Sequence, residues 1–102
     1  MDVCEILAKY LARIVEGAKG NIVSFTVGDV ARWSEEKYRT GRSVTLRVAA
    51  LCEELLSQGM LERIGKKYIL RRGTPLWDAV ARGDIDSACD IIRRVALIAE
   101  RT

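Results

Sequence analysis

The chain has 102 residues, 49% of them hydrophobic and 30% charged, with 17 basic against 14 acidic side chains and no histidine. Such a length and mixture describe one globular domain able to bury about two thirds of its unfolded surface. The longest apolar runs, about five residues, fall far short of the roughly 20 that cross a bilayer and of a signal peptide's layout, so the expected location is the cytoplasm, with no membrane partner.

Cys4, Cys52 and Cys89 lie far apart with no CxxC pair. They make neither a disulfide framework nor a zinc site, and read as small buried hydrophobes with no metal or cofactor implied. Asn21 and Gln58 are the only side-chain amides while arginine is abundant, a bias expected of a thermophile.

Val3, Ile6, Leu7, Tyr10, Leu11, Ile14 and Val15 recur at three- and four-residue steps. They predict a first helix with one apolar stripe, from an N-cap at Asp2 to Gly17. After a Gly-rich loop, Ile22-Val23-Ser24-Phe25 alternates as a very short strand. Thr26-Val27-Gly28-Asp29 has the spacing of a capping box, with Asp in place of Glu, and opens a second helix docked through Val30, Trp33 and Tyr38. A turn over residues 38–43 follows, and either Thr40 or Ser43 would cap the third helix.

In that third helix Val44, Val48, Leu51, Cys52, Leu55 and Leu56 fall on one side of the helical period. Gly59 stops it, since the left-handed conformation that ends a helix suits glycine. Met60 to Ile64 and Tyr68 to Leu70 are rich in strand formers, with Gly65-Lys66-Lys67 as a hairpin tip. Thr74 and Pro75 restart a helix as N-cap and first position, and Leu76, Trp77 and Val80 dock it.

Gly83 breaks that helix, and Asp84 or Asp86 caps a last one to Arg101. Here Ile85, Ala88, Cys89, Ile92, Val95, Ala96 and Ala99 form a stripe, which Ile91 and Ile98 widen to about half the circumference, against the ~100° that one contact needs. The excess predicts a two-fold homodimer through this helix, with Ile91, Val95 and Ile98 at its contact. The alternative is that the first helix and the Trp77 segment of the same chain fill both sides.

Charge is uneven. Arg32 to Arg72 holds ten basic residues against five acidic, while the flanking segments are slightly acidic. The cations gather before and within the start of the third helix (Lys37, Arg39, Arg42, Arg47) and around the hairpin (Arg63, Lys66, Lys67, Arg71, Arg72). A helix of this length fits the major groove, its N-terminal amides attract phosphate, and a basic hairpin beside it can reach the neighbouring backbone. Opposite the buried stripe stand Ser43, Leu46, Arg47 and Ala50. Arg47 is assigned to a base edge, Arg42 and Ser43 to phosphate or sugar, and Leu46 and Ala50 to thymine methyls. Arg39, Lys66, Lys67, Arg71 and Arg72 complete the expected DNA contacts.

The segment from Val48 to Arg63, VAALCEELLSQGMLER, resembles the recognition helix and first wing strand of the archaeal and bacterial winged-helix transcription regulators. The resemblance covers about Val3 to Leu70, with Cys52 where the family usually has leucine. It implies a mostly helical α+β fold: a winged helix-turn-helix, with three-helix core and hairpin wing, over residues 1–72, and a C-terminal helical extension over residues 73–102 packed on the same domain. It also implies DNA contact for Ser43, Arg47, Lys66 and Lys67 in a small, dimeric transcription regulator. Glu53 and Glu54, on the exposed side of the same helix, would repel phosphate unless only its first two turns enter the groove. The alternative is a winged-helix protein-interaction module in a transcription, replication or membrane-remodelling assembly. With no histidine, Gly-rich phosphate loop or clustered acids, no catalytic residue is assigned.

Overall fold

Asp2 accepts a hydrogen bond from the Cys4 amide at 3.3 Å, and from that cap α1 runs Val3–Glu16. The computed structural model describes residues 2–101, and the side chains of residues 2–97. The apolar stripe of α1 is at its centre: Ile6, Leu7, Ala8 and Leu11 are wholly buried.

Strand β1 (Ile22–Phe25) ends at the buried Phe25 and leads into α2 (Val27–Tyr38) through a complete capping box. Thr26 Oγ1 accepts from the Asp29 amide at 3.1 Å, and the Asp29 carboxylate accepts from the Thr26 amide at 2.9 Å. Two amides that a helix start would leave unpaired are thereby satisfied. The Thr26 amide, helped by the Arg32 guanidinium, holds the Asp29 carboxyl below its ordinary 3.8.

Helix α2 buries Val30 and Ser34, while Trp33 is half-buried and meets Tyr10 and Tyr38 edge-on at 5.5 and 5.6 Å. The Ser34 hydroxyl donates to the Ala31 carbonyl at 3.0 Å and is hydrogen-bonded to the Thr40 hydroxyl at 2.8 Å. With the Ser34 proton on Ala31, Thr40 is the donor in that bond. The N-cap of α3 (Arg42–Ser57) is Gly41, with no side-chain cap, rather than Thr40 or Ser43.

The end of α3 is as the glycine suggests. Gly59 has φ +77°, its amide donates to the Leu56 carbonyl at 3.2 Å, and the Met60 amide donates to the Leu55 carbonyl at 2.9 Å. These are the paired bonds of a Schellman ending. Strands β2 (Glu62–Ile64) and β3 (Lys67–Arg71) follow, with Ile64 opposite Lys67. The connecting turn is therefore Gly65-Lys66, with Gly65 at φ +61° as a two-residue hairpin demands. Lys67 already belongs to the strand.

The sheet is antiparallel throughout, in the order β1-β3-β2, with Val23 opposite Leu70 and Arg63 opposite Tyr68. Tyr68 and Leu70 face the helices and are buried.

Helix α4 (Pro75–Ala81) starts where Thr74 Oγ1 accepts from the Trp77 amide at 3.2 Å. Asp84, not Asp86, caps α5 (Ile85–Arg101), accepting from the Ser87 amide at 3.1 Å and its hydroxyl at 2.7 Å. Phe25, Val48, Leu55, Leu70, Leu76 and Ile92 belong to one continuous core, so the segment after residue 72 completes the core of the segment before it.

The residues expected at a homodimer contact along α5 differ in how far their own chain covers them. This helix lies against α1, α4 and α3 of its own chain. Val95, at 5% exposed, is covered within the chain, and Ile91 is partly buried against the same core. Ile98 lies outside the residues whose side chains are described. Among those that are, Leu97 is the apolar side chain of α5 left exposed.

Candidate nucleic-acid interface

Helix α3 separates two surfaces. Val48, Cys52 and Leu55 face inward and are buried, whereas Arg42, Ser43, Leu46, Ala50, Glu53 and Ser57, at three- and four-residue steps, form an exposed outer line. Leu46 is 66% exposed. Cys52 is a core hydrophobe, its thiol pushed up to about 12 by burial and the nearby Glu53.

The hairpin lies along one edge of this line. Arg63 of β2 reaches Glu53 of α3 at 3.1 Å, donates through Nε to the Gly65 carbonyl at 3.0 Å and lies over the Tyr68 ring at 5.7 Å. Arg63 thus braces the hairpin against α3. Arg71 is engaged as well, bonded to Glu62 at 2.6 Å; that bond holds the Glu62 carboxyl below its ordinary 4.5. Arg72 stacks over Trp77 at 5.6 Å.

The expected contact residues therefore separate into two groups. Arg39, Arg42, Arg47, Lys66 and Lys67 are exposed, and among the described residues none of them makes an ion pair. Arg71 and Arg72 are already committed to partners within the chain. Ser43 and Leu46 lie between the free cations of α3, Arg42 and Arg47, Ala50 follows on the same outer line, and Lys66 sits at the hairpin tip. With Gly41 at the N-cap offering no side chain, the Arg42 and Ser43 amides of α3 are left for an outside acceptor such as phosphate, the Val44 amide donating to the Gly41 carbonyl at 3.2 Å.

Arg47 lies on the other edge of α3, away from the hairpin. There α3, α5 and the start of α1 form a cavity of about 330 Å³, open to solvent, lined by Val3, Cys4, Ala50, Leu51, Ile92 and Ala96, with Asp2, Arg47 and Arg93 also lining it. Arg93 donates to Asp2 at 2.8 Å and, with the Cys4 amide, holds that carboxyl below its ordinary 3.8. Sequence reasoning assigned Arg47 to DNA and missed Asp2, Arg93 and Ala96. No local pattern could have found them, since the contact joins residues 91 positions apart.

No protein-family model, curated protein or solved structure matches the chain. Function has to be argued from the site itself. Among the described residues no three His, Cys, Asp or Glu side chains are grouped to hold a metal ion, and no helix is long and apolar enough to cross a membrane.

Proposed function

We propose that residues 1–72 form a winged helix-turn-helix and that the protein binds double-stranded DNA, the first turns of α3 entering the major groove and the β2–β3 hairpin lying on the backbone. The element order α1-β1-α2-α3-β2-β3 and the strand order β1-β3-β2 support the fold reading. The observation that carries the functional one is the set of exposed cations at the start of α3 and on the hairpin, without a carboxylate partner among the described residues, while Arg63 and Arg71 are neutralised. Unpaired cations cost least to bring against phosphate, having no ion pair to break.

Helix α3 is 16 residues long, about 24 Å at 1.5 Å per residue. Glu53 falls in its second half, about 16 Å from Arg42, so a groove entered by the first two turns keeps Glu53 and Glu54 clear of the bases. Arg42 and Ser43 then meet phosphate or sugar, Leu46 meets a thymine methyl, and Ala50, at the start of the third turn, meets one only where the groove wall rises beside it. Arg47, at the edge of the outer line, reaches a base edge only by swinging away from the cavity.

The test is the pair Lys66→Ala and Lys67→Ala together. Loss of two phosphate contacts should weaken binding to every duplex alike and lower the slope of log K against log salt by about 1.8. An unchanged slope would remove the hairpin from the DNA.

A second reading rests on Leu46, since a 66% exposed leucine flanked by Ala50 and Glu53 also suits a protein partner. In that case Leu46→Ala would abolish the partner's binding, and the protein would ignore duplex DNA at low salt.

A further inference from the structure

The cavity between α1, α3 and α5 has an apolar floor and a charged rim. Val3, Cys4 and Ile92 are buried, and Leu51 and Ala96 are half-buried. Burial raises the Cys4 thiol above its ordinary 9.0, so it is neutral lining. At the rim stand Arg47, in no ion pair among the described residues, and the Arg93–Asp2 pair at 2.8 Å. Two guanidinium groups against one carboxylate leave a single positive charge over a hydrocarbon floor.

The floor, the rim and the volume each narrow the occupant. Inorganic phosphate would leave the apolar floor wet, and a cation would be repelled by the rim. A second copy brought up by a two-fold axis would set the positive rim against itself. A volume of about 330 Å³ lies at the small end of ligand sites. A compact hydrocarbon body carrying one negative charge satisfies all of these.

We propose that this cavity binds a small apolar monocarboxylate, its carboxylate on the Arg47 guanidinium and its hydrocarbon body against Leu51, Ile92 and Ala96, and that the bound acid withholds Arg47 from DNA. The second half rests on the DNA reading; the first does not. A guanidinium engaged by a carboxylate in the cavity is not free to meet a base edge. By linkage the acid weakens DNA binding by the same factor as DNA weakens binding of the acid.

The experiment is an amide NMR titration of the full chain with hexanoate and with phenylacetate, set beside neutral hexanamide. Saturating shifts are expected at Val3, Ala50, Leu51, Ile92 and Ala96 with either acid, in the millimolar range that so few ligand atoms can reach. Replacing the carboxylate by the amide, or Arg47→Ala, should each weaken binding about ten-fold or more, as loss of a charge-assisted contact requires.

Ala96→Phe, which fills the cavity, should abolish the shifts while the rest of the spectrum stays native. Absence of saturating shifts with both acids, equal binding of hexanamide, or no effect of Arg47→Ala would overturn the site. A duplex titration in saturating hexanoate tests the competition separately. Weaker DNA binding supports it, and unchanged affinity overturns it. A protein that binds no DNA at all removes the competition, leaving the site to stand or fall on the acid titration.

Discussion

Glu53 offers a test that should improve binding rather than destroy it. Its carboxylate sits on the outer line of α3, 3.1 Å from Arg63, and both side chains are about half exposed. Glu53→Gln keeps the shape and removes the charge. The stability cost should be small, since an exposed ion pair contributes about 0–1 kcal/mol. For a nearby phosphate the consequences are larger. One acid that repels it is gone: at about 10 Å in water, screened at 0.1 M salt, that repulsion is ~0.15 kcal/mol, roughly 1.3-fold in affinity. Arg63 is also released, and one more phosphate contact adds about 0.9 to the salt slope, or roughly eight-fold at 0.1 M salt. Affinity for a generic duplex should therefore rise by between about 1.3-fold, from lost repulsion alone, and about ten-fold, from both effects. Fluorescence anisotropy with a labelled duplex at 0.1 M salt measures this, with a thermal melt as the check on folding. Unchanged or weaker binding would mean that the outer line of α3 and the hairpin do not lie near phosphate.

Other substitutions examine the frame that holds this surface. Gly59 has φ +77° with open space where a Cβ would stand, so Gly59→Ala should cost only the backbone penalty of about 1–2 kcal/mol. That corresponds to a fall in Tm of about 4–8 °C per kcal/mol, and Gly59→Asn should fall less; equal melting of all three would refute the Schellman ending. The carboxyls of Asp2 and Asp29 are held below 3.8 in the folded chain, so on acidification the unfolded chain takes up protons first. Their contribution is full well above 3.8 and is lost as pH falls through the lower folded values. Denaturant melts from pH 6 to pH 2.5 should show a shallower decline for Asp29→Asn than for the wild type, and parallel curves would contradict the capping role. Ser34→Ala removes the partner of Thr40 and should cost about 1 kcal/mol in the same melts, whereas a neutral result would show that the bond does not hold the turn before α3.

Elements written in local chemistry were legible from the sequence. The α1 stripe, the Thr26–Asp29 box, the glycine after α3 and the Thr74-Pro75 start all depend on residues a few positions apart, and each stands in the structure as expected. What escaped depends on distant partners. Thr40 turns its side chain to Ser34, six residues back, and the cap of α3 falls on Gly41 instead. Val95 is covered by its own chain because α5 lies against three other helices. In the candidate site, the sequence identified the basic cluster but could not separate Arg42 and Lys66 from Arg63 and Arg71, whose carboxylate partners lie ten and nine residues away across the fold. Nor could it place Arg47 beside a cavity built from both ends of the chain.

The most direct measurement is binding of the wild-type protein to a generic 20-base-pair duplex between 50 and 200 mM salt. If Arg39, Arg42, Lys66 and Lys67 each meet a phosphate, log K should fall with log salt with a slope near 3.6, a loss of about 150-fold across that range. Absence of binding at 50 mM salt and tens of micromolar protein, or a slope below about 1, would contradict a DNA-binding role for this surface.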